Sequence, residues 1–127
     1  MNDSLKAQCG AEFLGTGLFC FWYRLFERAQ SRRRQPRIMG DLHYLGLGIS
    51  LAVYLTAGIS GGHLNPAVTI ALWLFACFPK QKVLPYIIAQ FAGAFGGDLL
   101  AYVLYSSLLL NLRLRIIWCA VASKVCN

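Results

Sequence analysis

The stretch SGGHLNPAVTIALW, Ser60 to Trp73, decides the fold. Two glycines and a histidine lead into Asn-Pro and then into an apolar run. Asn is a strong N-cap residue, and Pro suits the first helical position, where its missing N–H deprives the helix of no bond. A helix is therefore expected to start at Asn65 and to continue through Ala67-Val-Thr-Ile-Ala-Leu-Trp73. From Asn65 to Phe78 is about 14 residues, roughly 21 Å of helix, which is too short for a hydrocarbon core about 30 Å thick.

A segment that enters a bilayer and stops halfway leaves backbone groups unpaired at depth. That is tolerated only against protein or along a water-filled cavity. The backbone of Gly61, Gly62 and His63 would offer carbonyl acceptors to such a cavity. Asn65, its oxygen occupied by capping, would keep its NH₂ to donate to a passing hydroxyl. The positive end of the half-helix opposes protons and cations, so the arrangement favours neutral hydroxylic solutes.

The rest of the chain supports a membrane setting. Its 127 residues are 57% hydrophobic and only 13% charged, with a mean hydropathy of +0.54. This is too apolar for an ordinary soluble domain. Three apolar stretches, Cys9 to Tyr23, Leu45 to Ile59 and Leu84 to Leu112, compete as membrane helices. The first is no secretory signal, because only Lys6 precedes it and Glu12 interrupts it. The expected order is helix 9–23, basic linker 24–44, helix 45–59, re-entrant loop and half-helix 60–78, helix 84–112 and basic tail 113–127. Pro85 would then stand in the first turn of the last helix. The fold class is all-α, a membrane helical bundle of three membrane helices plus one re-entrant half-helix. Cys9, Cys20, Cys77, Cys119 and Cys126 show no metal-ligand spacing and read as core or tail cysteines.

Several polar positions need their own account. His63 taken alone is more often a histidine held by one backbone hydrogen bond. Glu12 either lies buried or sits near the interface at the end of its helix, and the two readings stand level. Ala89, Gly93, Gly97 and Ala101 recur every four residues, a small-residue stripe for close helix packing. Asp98 lies in the last apolar run with no evident partner.

SGGHLNPAVTIALW resembles the first Asn-Pro-Ala box of the major intrinsic proteins. AEFLGTG before it, and FACF and KVLPYIIAQFAGAF after it, resemble the bacterial glycerol facilitators in particular. The resemblance implies a channel for passive diffusion of glycerol and other small neutral solutes, water among them, with no cofactor. It implies a multi-pass protein of the inner membrane that works as a homotetramer. Asn65, Pro66 and Ala67 match the box; Gly61, Gly62 and His63 match the carbonyl-lined approach, although Ala is more usual where Gly62 stands. Glu12 matches a buried carboxylate that holds the re-entrant loop.

The departures are equally specific. The family is built from two inverted halves whose boxes meet at the midplane. Only the first half has a counterpart here. The segment Tyr23 to Arg37, YRLFERAQSRRRQPR, puts arginines outside if the amino terminus is cytoplasmic, against the positive-inside tendency, and Arg113 and Arg115 join them. A shift of reading frame accounts for both regions. Back-translated and read one nucleotide later, Phe21 to Phe26 can give F-G-I-G-C-L, and Met39 to Leu45 can give W-E-I-S-I-I-W. The arginine-rich middle can give K-V-A-G-A-S, and the tail from Asn111 can give F-E-T-T-H-H-M-V-R-G-S. Restored frames place a tryptophan at Leu45, the position resembling the filter's aromatic wall. The alternative reading is thus a truncated, frameshifted relic.

Two other classes are weaker. An enzyme would need a Ser/His/Asp set, paired carboxylates or a phosphate loop, and those groups converge nowhere. A binder of anionic lipid or nucleic acid would rely on Arg32, Arg33 and Arg34. A solvated linker is the commoner fate of such a run, and no nucleic-acid partner is expected. Resequencing the coding DNA at Phe21, Gly46 and Asn111 checks the frame: codons permitting the alternative peptides are expected, and other codons end the idea.

Overall fold

A computed structural model describes residues 2–30 and 38–125, with side chains for 4–27 and 42–106. Four helices make it up: α1 Asn2–Gln30, α2 Ile38–Ser60, α3 Pro66–Phe75 and α4 Lys80–Val125. There is no strand among the described residues. Stretches of α2 and α4, Leu42–Ser60 and Lys80–Ser106, are long and apolar enough to cross a membrane. With 29 residues α1 has the length, but Lys6, Glu12, Arg24 and Glu27 make it less apolar. Ten-residue α3 is too short to cross.

The helices exceed the apolar runs that announced them. Helix 9–23 extends to 2–30, helix 45–59 to 38–60, and helix 84–112 to 80–125. The linker expected at 24–44 is therefore helical over 24–30 and 38–44, and its centre, 31–37, lies outside the described residues. The tail expected from 113 is helical to Val125, and 126–127 lie outside the description. The reason is common to all of these: an apolar run marks what lipid covers, whereas Lys, Arg, Glu and Gln continue a helix well. Pro85 consequently falls inside α4 rather than in its first turn. The helix opens earlier, with the Lys82 amide donating to the Pro79 carbonyl at 2.9 Å.

In the other direction, α3 stops short of Phe78. Its C-cap is Ala76, whose N–H donates to Leu72, and Cys77 then turns into the left-handed region at φ 56.

Helix α1 lies between the other two long helices. It runs parallel to α4, since contacts climb both chains together: Gln8 Oε1 accepts from Lys82 Nζ at 3.0 Å, Glu12 from Gln90 at 2.8 Å, and Asp98 from Arg24 at 3.0 Å. Helix α2 runs the other way. Trp22 donates to the Tyr44 carbonyl at 3.1 Å near one end, and Ser60 reaches Glu12 at 2.6 Å near the other.

Helices in lipid gain nothing from hydrophobic burial against each other, so close packing must hold them. The α1–α4 seam achieves it with glycine. A Cβ on Gly93 would strike the Phe13 carbonyl, and one on Gly97 the Gly17 carbonyl. Ala101 is buried further along the same face, and Ala89 is half-buried. Beyond the glycines Arg24 closes the seam, giving Nε and Nη2 to the two oxygens of Asp98 at 3.0 Å each and Nη1 to Glu27. Such a two-pronged pair is the strongest geometry a guanidinium offers a carboxylate. It supplies the partner that the linear sequence left Asp98 without.

Gly97→Ala and Gly93→Ala are expected to destabilise the detergent-solubilised chain by about 1–3 kcal/mol, because the obstructing atoms are backbone. Gly10→Ala, with open space around it, should leave the melting temperature unchanged or raise it.

Candidate functional site

The chain leaves α2 through three left-handed residues: Gly61 at φ +91, Gly62 at φ +65 and Leu64 at φ 52. The glycines take this conformation at no steric cost. Leu64 does not, and a non-glycine residue held there stores of the order of 1 kcal/mol or more. Two contacts from α1 keep it in place. Glu12 Oε2 accepts from the Leu64 amide at 2.7 Å, and Thr16 Oγ1 donates to the Leu64 carbonyl at 3.4 Å. The Leu64 side chain also lies where a Cβ on Gly15 would be, so α1 must be bare at that point.

Glu12 is the centre of this arrangement and is fully buried, at 0% exposure. Oε1 accepts from Ser60 Oγ at 2.6 Å and from the His63 amide at 2.9 Å. Oε2 accepts from the Leu64 amide and from Gln90 Nε2 at 2.8 Å. One carboxylate thus gathers the end of α2, the loop and α4. The remaining loop donor, the Gly62 amide, goes to Ser60 Oγ at 3.2 Å.

From Leu64 the chain enters α3. Asn65 is extended, at φ −147 and ψ 130, and its Oδ1 accepts from the Ala67 amide at 2.8 Å. Pro66 opens the helix. The Asn65 carbonyl takes both the amide and the hydroxyl of Thr69, at 3.0 and 3.2 Å. Thr69 Oγ1 is shared further, with Gln90 Nε2 at 3.0 Å and His63 Nδ1 at 3.1 Å. The His63 ring is packed rather than presented: it is 7% exposed and meets Phe78 and Tyr86 at centroid distances of 4.7 and 5.2 Å. Tyr86 in turn donates its hydroxyl to the Ser60 carbonyl at 3.0 Å.

With the amides of 62 to 64 all satisfied, the carbonyls of Gly61, Gly62 and His63 accept no hydrogen bond among the described residues. Nor does Asn65 Nδ2 donate one, its partner atom Oδ1 being committed to the cap. Gly61, Asn65 and Ala67 are exposed, while Gly62 and Pro66 are half-buried. The loop therefore leaves three carbonyl acceptors and one amide donor without partners among the described residues, while its amides are tied to α1 and α2.

Towards the other end of α1, Leu45 lines a cavity of about 520 Å³ with Phe19, Tyr23, Arg24 and Asp98.

Gln90, Thr69, Ser60, Tyr86 and Thr16 are the members of this cluster that sequence reasoning passed over. Gln90 stands beside Ala89 of the small-residue stripe, and the packing role of the stripe gives no reason for a glutamine there. The usable signal was polarity: a glutamine inside YIIAQFAGAF needs a partner in any apolar setting.

A model of the family described as "Major intrinsic protein" matches residues 2–125. The propanediol uptake facilitator PduF of Salmonella typhimurium is 76% identical over 109 residues, 85% of this chain and 41% of that protein. PduF of Citrobacter freundii is 67% identical over 109 residues, 85% of this chain and 40% of that protein. The glycerol uptake facilitator protein of Escherichia coli K12 is 52% identical over 108 residues, 84% and 38%. The chain thus spans about two fifths of the length of the curated relatives it matches.

Glu12→Gln is nearly isosteric but turns one acceptor into a donor facing donors. It is expected to cost about 1–3 kcal/mol for each buried amide left unpaired. Amide hydrogen exchange at His63 and Leu64 in detergent micelles should accelerate, with Glu12→Ala showing the larger effect.

Proposed function

Because the chain belongs to the major intrinsic protein family, we propose that it supplies one half of a membrane channel for passive diffusion of glycerol, propanediol and similar small neutral solutes. The observation that supports this most is the row of free carbonyls at Gly61, Gly62 and His63 beside the free amide of Asn65. A hydroxyl group both donates and accepts. At this loop it can donate to a carbonyl while accepting from Asn65 Nδ2, and so exchange its water shell for protein without net loss of hydrogen bonds.

Neutral solutes suit the site for a physical reason. Asn65 and Pro66 stand at the amino-terminal, positive end of α3, which raises the energy of a cation there. A diol or triol avoids that cost and keeps its hydroxyls paired. Gly61, Gly62, His63, Asn65, Pro66 and Ala67 are the residues assigned to the passage, and Glu12 is assigned to holding them. Nothing in this reading calls for a cofactor or a covalent step.

The setting proposed is the bacterial inner membrane, crossed more than once. Large apolar side chains remain exposed along α2 and α4, among them Tyr54 at 83%, Phe91 at 65% and Phe95 at 72%. Lipid or neighbouring subunits of a tetramer would cover these.

Purified chain in liposomes tests the proposal by stopped-flow light scattering under inward glycerol and 1,2-propanediol gradients. Swelling faster than in protein-free vesicles is expected, with Asn65→Asp slowing it about tenfold by placing a charge where neutral groups pass. Normal insertion without swelling would instead favour the relic reading.

A further inference from the structure

Thr69, near the start of α3, is fully buried at 0% exposure, and its hydroxyl oxygen has more polar neighbours than protons to give them. The Asn65 carbonyl oxygen, Gln90 Nε2 and His63 Nδ1 lie 3.2, 3.0 and 3.1 Å away. A hydroxyl offers one proton and two lone pairs, so the direction of each bond is set by what its neighbours can do.

Gln90 is 1% exposed, and its Nε2 reaches Glu12 Oε2 at 2.8 Å as well as Thr69. Glu12 already takes Ser60 and the two loop amides, so it acts there as an acceptor. The opposite orientation of the Gln90 amide would set oxygen against that carboxylate. Nε2 therefore gives one proton to Glu12 and one to Thr69. This orientation leaves Gln90 Oε1 buried without a partner among the described residues, which is the cost of delivering both protons to fixed oxygens.

With one lone pair of Thr69 taken by Gln90, a proton and a lone pair remain. The Asn65 carbonyl can only accept, so the proton goes to it, the usual bond of a helical threonine to the carbonyl four residues back. The last lone pair faces His63 Nδ1, which must then donate. In the reverse arrangement Thr69 would donate to Nδ1, and the proton of a neutral ring would sit on Nε2. That nitrogen has no hydrogen-bond partner among the described residues. An unpaired N–H on a ring only 7% exposed is the costlier choice.

We infer that Thr69 is the positioning residue of the Asn65 tip: its hydroxyl holds the Asn65 carbonyl and accepts from Nδ1 of a neutral His63, fixing that ring as an acceptor at Nε2. Nε2 lies beside Gly61, 3.4 Å from where a Cβ on that glycine would be. His63 thus adds an acceptor to the loop, and Asn65 Nδ2 is left as the loop's side-chain donor. What this means for a solute rests on the channel reading above; the placement of the proton does not.

The full chain carrying isotope-labelled histidine, reconstituted in phospholipid bilayers at a pH above the ordinary histidine range, tests it. Magic-angle-spinning NMR reads which ring nitrogen is protonated, and a His43→Gln spectrum identifies the His63 signals. Nδ1–H is expected to exceed Nε2–H by at least about tenfold, to persist in Thr69→Ser, and to lose about tenfold in Thr69→Val, which keeps the shape without the hydroxyl. A proton on Nε2 in the wild-type chain overturns the assignment. So does a preference unchanged in Thr69→Val, or one lost in a folded Thr69→Ser chain. Should Thr69→Val lose helicity, Thr69→Ala removes the same hydroxyl with less bulk and is read against the same outcomes. Liposome swelling keeps the two readings apart: Nδ1–H in a chain that does not conduct removes the channel reading alone, and conduction with Nε2–H removes the Thr69 assignment alone.

Discussion

The buried carboxylate of Glu12 is the constraint on which the remainder depends. A carboxylate has about four lone-pair sites, and here each oxygen takes two donors drawn from α2, the loop and α4. Burying such a group unpaired would be prohibitive, and pairing it this fully converts the cost into a geometric demand. The demand is met only if Ser60, His63, Leu64 and Gln90 converge on one point of α1. That convergence holds Leu64 in its left-handed conformation and turns the loop's amides inward. Its carbonyls are then left over, which is the property the proposed passage uses. Site and scaffold are thus one hydrogen-bond network, and the free acceptors follow from where the donors have gone.

What could be read in the sequence was what local physics decides. Asn65 caps and Pro66 opens a short helix because both effects act within a few residues. What could not be read depends on contacts distant in sequence. Nothing near Glu12 distinguishes a buried network from a helix end at the interface; the answer lies in amides some fifty positions away. The same holds for Asp98, whose partner Arg24 is 74 positions earlier. Helix limits depart from the apolar runs for a different reason. Hydropathy reports the solvent a residue prefers, whereas helix length follows backbone bonding, which charged residues sustain well. Hence α1 runs past Tyr23, and Pro85 ends up in a helix interior.

The Arg24–Asp98 pair links two questions that looked separate. Read in the shifted frame, residue 24 becomes glycine, and Asp98 loses the two hydrogen bonds that hold its carboxylate. An ionisable side chain in a membrane helix normally has a partner, and stripping one from a desolvated pair costs about 3–5 kcal/mol. Half-exposed as this pair is, at 43% and 44%, the cost is smaller, though of the same sign. The frame as written is therefore the one in which α4 is electrostatically satisfied. Whatever the history of residues 21–45, Asp98 is matched to the arginine rather than to the glycine.

The Arg24–Asp98 pair and the loop are held separately. Arg24 and Asp98 at the far end of the seam leave the Glu12 network untouched, because more than two turns of glycine-bearing seam separate Glu12 from Arg24 and backbone contact fixes that seam. The loop and its left-handed residues are held by Glu12, Thr16 and Ser60, and the Asn65 carbonyl by Thr69.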